Sequence, residues 1–160
     1  MTTTYETTQL FADDVAVGYE LDSLVQRPTT VQLFRYCAVT WNSHRIHFDR
    51  DYAATEGYPD VLVQSHLHGA FLTSLCDRFA GAAGRIERLS YSVRRFAIPG
   101  DTLIITGAVS GARQTADGAV FSVDIREERR ADDTVCAQGE AEIFLPARAG
   151  SIDSATGRAS

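Results

Sequence analysis

An α+β fold, with an antiparallel sheet wrapped around one long central helix, is what this sequence predicts, on three observations. "SHLHGAFLTSLCDRFAG" carries Leu67, Phe71, Leu75 and Phe79 at intervals of four, and Ala70, Leu72 and Cys76 add apolar groups on other faces. A helix apolar over so much of its circumference is a buried one. From residue 85 onward the apolar period drops from about four to two, the spacing of strands. Three short turn sequences, "PGD", "ADG" and "RADD", divide that region. Rod and strands each have a face to hide, and a sheet curled round the rod hides both.

From the N-terminus, "FADDVAVGYELDSLVQ" alternates loosely and contains Gly18, which reads as a strand or a strand and turn. Pro28 followed by Thr29 and Thr30 supplies an N-cap for a short helix whose apolar spacing is Val31, Phe34 and Ala38. That helix runs out near Asn42 and leaves His44 and His47 in the turn after it. "AATEGYPDVLVQ" is a loop containing Gly57 and Pro59, closed by Val61, Leu62 and Val63. Ser65 is expected to cap the long helix and Gly81 to stop it. Leu89, Tyr91 and Val93 then alternate with polar residues. Further on, Ala141, Ile143 and Leu145 face one way, Glu140 and Glu142 the other. Three hairpin connections would join four antiparallel strands. The domain is expected to span residues 9–146, with 1–8 and 147–160 as flexible termini.

A chain of 160 residues is long enough for one core and too short for two. Its net charge of −6 argues against a nucleic-acid partner, since nothing here releases phosphate counterions in bulk. No apolar stretch approaches a membrane span, and the first residues lack a basic segment followed by an apolar run. A cytoplasmic location with no membrane partner is the expectation. Cys37, Cys76 and Cys136 are odd in number, widely spaced and free of any CxxC pattern, so they read as buried reduced thiols.

The chemistry is concentrated in "WNSHRIHFD", residues 41–49, where two imidazoles three residues apart sit beside an amide and a carboxylate. A histidine titrating near neutrality suits proton transfer. Asn42 can hold a water but has no proton to exchange near neutral pH, and it is also a candidate helix cap. His44 is a second candidate acid or base, ranked below His47, with a structural or surface role as the favoured reading for it and for His66 and His68. Asp49 is a candidate to fix a histidine tautomer, with capping a turn or pairing with an arginine as its alternatives. HxxH here and HxH at His66 and His68 raise zinc as a rival. On one helix, however, His66 and His68 point about 200° apart, so no metal is assigned. Arg94 and Arg95 read as a solvated strand face, with coenzyme phosphates as the alternative.

Three segments in this order resemble the hot-dog fold, and within it the MaoC-like hydratases and dehydratases: "DVAVGYEL" as the opening strand, "NSHRIHFDRDYA" as the hydratase segment and "IPGDTLIITGAV" as a strand entry. "SHRIHFDRDYA…EGYP" is similar to fungal-type 3-hydroxyacyl-thioester dehydratases and mesaconyl- or itaconyl-CoA hydratases. "VLVQSHLHGAFLTSLCDRFAG" is similar to small actinobacterial MaoC-like subunits. The resemblance runs roughly from Phe11 to Pro146. It implies a lyase of fatty acid metabolism that hydrates a 2-enoyl thioester, or dehydrates the matching 3-hydroxyacyl thioester. Coenzyme A or a carrier protein would belong to the substrate, with no separate cofactor. His47 falls on the catalytic histidine, and Asn42 falls where the simple R-specific hydratases have Asp. The resemblance also implies an oxyanion donor, a backbone N–H at the start of the central helix. A gapless register brings Gln64 and Ser65 to it, and a four-residue gap brings His68 and Gly69. The gapless register is preferred, and Ser65 and Gly69 are the two candidates. A homodimer, or a heteromer with another hot-dog subunit, is implied as the assembly. Two alternatives stay open: a hot-dog acyl-CoA thioesterase using Asp49, Asp51 or Glu56, and a non-catalytic MaoC-like subunit of a heteromeric hydratase.

Overall fold

The computed structural model describes residues 9–148. The chain enters through a single 3-10 turn, Ala12–Asp14. Past Gly18, whose φ of 91° suits a residue without Cβ, the backbone meets the sheet at the Glu20–Ala108 bridge and through bonds of Gly18 and Tyr19 with Val109 and of Leu21 with Gly107. Regular pairing begins at β1 (Leu24–Gln26). The opening strand expected from "DVAVGYEL" is thus a turn and a single bridge.

Helix α1 (Thr30–Thr40) begins as its sequence expects. The Thr29 hydroxyl accepts from the Gln32 amide at 3.1 Å, satisfying one of the amides left over at a helix start. Thr29→Ala is expected to lower stability by about 1 kcal/mol in urea unfolding. The buried face is not the expected one. Leu33 and Cys37 point inward, whereas Val31 and Phe34 are 64% and 63% exposed and Ala38 is exposed too. Both stripes have helical spacing, so periodicity alone leaves the choice open. Burial against Gln64 and the apolar segment ahead of the long helix makes it.

That long helix, α3 (Ser65–Ala80), follows a short helix, α2 (Arg50–Thr55), whose second half falls in what reads as loop in the sequence. Leu67, Phe71, Leu72, Leu75, Cys76 and Phe79 are all buried. They pack on Leu103, Ile105, Phe121, Val123, Ile125, Ile143 and Leu145 from the strands. Each such side chain contributes about 1.5–3 kcal/mol by leaving water, so rod and sheet hold each other. Gly81, at φ 64°, ends the helix, its amide bonded back to Asp77.

The sheet comprises β1, β2 (Arg85–Val93), β3 (Leu103–Gln114), β4 (Gly118–Arg129) and β5 (Thr134–Pro146), in the order β1-β3-β4-β5-β2, with every pair antiparallel. β3–β4 and β4–β5 are hairpins. The connection through "PGD" is not one: it carries the chain from β2, at one edge, across to β3. Alternation tells which side of a strand is buried and says nothing of its neighbour. β2 finds β5, in a register that sets Leu89 opposite Ala141, and closes the sheet over α3. This is the helix-in-sheet arrangement that the resemblance implies.

At the far end, two residues assigned to a flexible tail are tied down. The Ala147 amide donates to Asp117 at 2.8 Å, and Arg148 pairs with Asp14 at 2.8 Å and covers the Phe11 ring. Residues 1–8 and 149–160, the remainder of the expected flexible termini, lie outside the described residues. The three cysteines are free and buried; burial pushes the Cys76 thiol up to about 12 and the Cys136 thiol to about 11. Among the described residues no helix is long and apolar enough to cross a membrane.

Candidate active site

The histidine loop is built by backbone capping. α1 ends on Trp41 in the left-handed region, φ 55°, and the amides of Trp41 and Asn42 both return to the Cys37 carbonyl. Asn42 Oδ1 accepts from the His44 amide at 3.2 Å, closing a tight Asx turn. The left-handed capping position is therefore Trp41. Asn42 shapes the loop, and its acceptor oxygen is already engaged. His44 then caps a 3-10 turn, Arg45–His47, its Nδ1 accepting from the Ile46 amide at 3.4 Å.

His47 is 9% exposed, and its Nδ1 lies 2.9 Å from the Leu62 carbonyl oxygen. A carbonyl only accepts, so Nδ1 carries the proton and Nε2 keeps its lone pair in the neutral ring. Burial pushes the imidazole pKa below its ordinary value. The Leu62 carbonyl opposes this in part, and the neighbouring His44 adds to the lowering. The ring lines a cleft of about 460 Å³ with Thr30, Val31, Phe34, Phe48, Arg50 and Val61. A neutral imidazole with its lone pair on Nε2, in a ring lining a mostly apolar cleft, is the result.

Asp49 does not orient a histidine. Its Oδ2 takes both Nε and Nη2 of Arg45, at 2.9 and 2.6 Å, while Oδ1 caps α2 at the Tyr52 amide, 3.0 Å away. The Tyr52 amide first, and Arg45 next, hold its carboxyl below the usual carboxylate range. That engagement also removes it as a water-activating carboxylate. Arg50 is clamped on Asp60 at 2.8 and 3.1 Å, which closes α2 against the segment entering α3.

That segment links the imidazole to the helix start. The Leu62 amide donates to Ile46 and the Val63 amide to Ala97. Three residues beyond Leu62 the helix begins, at Ser65 rather than after it, with Gln64 in the capping position. Leu67 and His68 both donate to the Gln64 carbonyl, while the amides of Ser65 and His66 have no hydrogen-bond partner among the described residues. Unpaired amides at a helix N-terminus favour negative charge. Gly69 lies one turn further in, where the α-helical ladder already takes its N–H. The oxyanion role assigned to Gly69 is therefore corrected: its amide is not available at the helix end. Its lack of a side chain serves another purpose, since a Cβ there would run into the Tyr91 ring and hydroxyl. Gly69→Ala, stabilising on helix propensity alone, is expected instead to destabilise by about 1–3 kcal/mol in urea titration, as overpacking does.

Several participants carry no motif. Gln64 is fully buried and donates to the Leu33 carbonyl at 2.8 Å and Cys37 Sγ at 3.0 Å, tying α1 to the head of α3. Tyr91 Oη reaches the Ser65 carbonyl at 3.3 Å. His68 is turned into the sheet, where Nδ1 donates to Glu127 Oε1 at 2.5 Å with both side chains buried. His66 is exposed. The four imidazoles do not converge, and among the described residues no three His, Cys, Asp or Glu side chains are grouped to hold a metal.

Residues 19–99 match the hydroxyacyl-thioester dehydratase type 2 family. The chain is 50% identical over 44 residues to the mesaconyl-C(4)-CoA hydratase of Chloroflexus aurantiacus, a match covering 27% of this chain and 16% of that protein. It is 32% identical over 75 residues to the mitochondrial hydroxyacyl-thioester dehydratase type 2 of Schizosaccharomyces pombe, covering 46% of this chain and 23% of that one. The matches thus span less than a quarter of these relatives' lengths. The fold is similar to that in the ChsH1–ChsH2 complex of Mycobacterium tuberculosis, with a TM-score of 0.73 and 17% identity over 81% of this chain and 98% of that one. The architecture is the hot-dog fold. With half the chain matched, from the turn at Tyr19 through the histidine loop and α3 to the end of β2 and beyond, this protein belongs to the hydroxyacyl-thioester dehydratase type 2 family.

Proposed function

We propose that this chain hydrates a 2-enoyl thioester, or runs the reverse dehydration of a 3-hydroxyacyl thioester, with coenzyme A or a carrier protein bearing the acyl group. One observation carries the reading: the Leu62 carbonyl holds the proton on His47 Nδ1, leaving Nε2 with its lone pair in a ring that lines a mostly apolar cleft. Water addition needs a base for the water, a proton for the α-carbon and a donor for the enolate oxygen. His47 Nε2 takes a proton from water as its oxygen bonds to the β-carbon, then returns it to the α-carbon. The unpaired Ser65 amide, three residues from His47's carbonyl partner, receives the thioester oxygen as charge builds on it. Val31, Phe34, Phe48 and Val61 give the acyl chain an apolar wall. The match to the dehydratase family and the mesaconyl-C(4)-CoA hydratase support this chemistry. The test is loss of enoyl absorbance over a panel of enoyl-CoAs and enoyl carrier proteins, with free thiol followed alongside. Hydration without thiol release is expected; thiol release without hydration would make the protein a thioesterase.

A second hot-dog unit, the same chain or a sister subunit, is part of the reading. β2 is paired only through β5 among the described residues, and Val31, Phe34, Val39 and Trp41 leave α1 with an apolar outer face, Trp41 being 92% exposed. The ChsH1–ChsH2 complex sets a precedent for two different chains. Light scattering is expected to give a dimer, alone or with a co-expressed partner. A location in the cytoplasm remains part of the proposal, with fractionation as its check.

A further inference from the structure

His44 and His47 hold opposite hydrogen-bonding states, and the backbone decides both. At His47 a carbonyl faces Nδ1, so the neutral ring accepts at Nε2. At His44 an amide N–H faces Nδ1, so the neutral ring keeps its proton on Nε2 and donates there. The ring centroids are 6.0 Å apart, with planes inclined by 60°. One water that donates to a nitrogen and accepts from another spans nitrogens about 4.7 Å apart, a separation that ring centroids 6.0 Å apart permit. Tyr52 meets the His44 ring edge-on at 6.1 Å, and Arg45 lies 4.6 Å over Tyr52, so the ring has a backing. Asn42, the other candidate to hold a water, has its oxygen on the His44 amide.

We infer that His44 is a catalytic residue of the hydration proposed above, its Nε2–H donating to the oxygen that adds to the β-carbon while His47 Nε2 takes that water's proton. The inference rests on that reading. The bonds balance without a second proton carrier: oxygen bonds to the β-carbon, one water O–H breaks toward His47, and His47 delivers that proton to the α-carbon. His44 keeps its own proton throughout. In the reverse direction the same N–H steadies the departing oxygen until His47 protonates it.

The competing role is structural, since His44 also caps the 3-10 turn. Three variants separate the two. His44→Ser keeps a capping acceptor and loses the long-reach donor; His44→Gln keeps an N–H donor at similar reach; His44→Ala keeps neither. On the wild-type protein's best substrate, kcat is expected to fall about 100-fold in His44→Ser and His44→Ala, with KM changed less than about threefold, and to recover by about tenfold or more in His44→Gln. Wild-type kcat in His44→Ser, or His44→Gln no better than His44→Ala, overturns the inference and leaves the hydratase reading intact. No hydration by the wild type on any thioester of the panel removes that reading, and this one with it.

Discussion

Replacing His47 by alanine is expected to lower kcat/KM for enoyl-thioester hydration by about 10²–10⁴-fold, the usual worth of a positioned acid–base group. The residue is buried, so the variant also leaves the Leu62 carbonyl without its donor, at about 1–3 kcal/mol. His47→Gln is the cleaner probe, because its amide restores a donor for Leu62 and supplies no base. Equal losses in the two variants, with a thermal midpoint close to wild type in His47→Gln, identify lost chemistry rather than lost folding. Wild-type turnover in either variant sinks the assignment. The pH profile adds a signature. Burial first, and His44 besides, hold the His47 pKa below its ordinary value, so the base stays neutral into mildly acidic solution. The acid limb of kcat/KM is expected below about pH 6.5. The same lowering affects stability. Below about pH 6.5 the unfolded chain binds a proton at this residue more readily than the folded one, so stability falls as pH drops through that window. The urea midpoint should decline from pH 7 to pH 5 less steeply in His47→Gln than in wild type.

The second large effect belongs to His68 and Glu127. Their 2.5 Å contact is sealed between α3 and β4, with side chains 1% and 0% exposed. Among the described residues, His68 Nε2 and Glu127 Oε2 have no hydrogen-bond partner. Removing either member, as in His68→Leu or Glu127→Leu, leaves a polar or charged group alone in the core, and a loss of about 3–5 kcal/mol is expected in urea unfolding. The double variant His68→Leu/Glu127→Leu removes both polar groups together and should recover most of that loss, a strongly non-additive cycle. Additive losses would show that the two side chains act separately. Since His68 sits on the first turn of α3, hydration activity in the double variant also reports whether the pair positions the helix head.

Where one element dictates its own periodicity, the sequence was legible. The all-round apolar pattern from Leu67 to Phe79 made α3 a buried rod, and alternation after residue 85 made strands of it. The cluster from Asn42 to Asp49 marked the candidate site through residue types alone. What the sequence left undetermined are choices between equals. Val31–Phe34–Ala38 and Leu33–Cys37 are both helical stripes on α1, and only the position of Gln64 and the apolar entry segment buries the second. β2 alternates equally well beside β3 or β5, and closure around α3 selects β5. Gly69 and Ser65 differ by one turn, yet only the end of a hydrogen-bond ladder frees an amide. His47 and His44 are the same residue type, and their tautomers come from a carbonyl and an amide that no motif contains. By itself, then, the sequence determined the rod, the strands and the imidazoles, because each follows from local spacing or side-chain chemistry. The tertiary structure decided which faces meet, which strands pair and which nitrogen is basic, because each of those depends on a backbone group brought in from elsewhere in the chain.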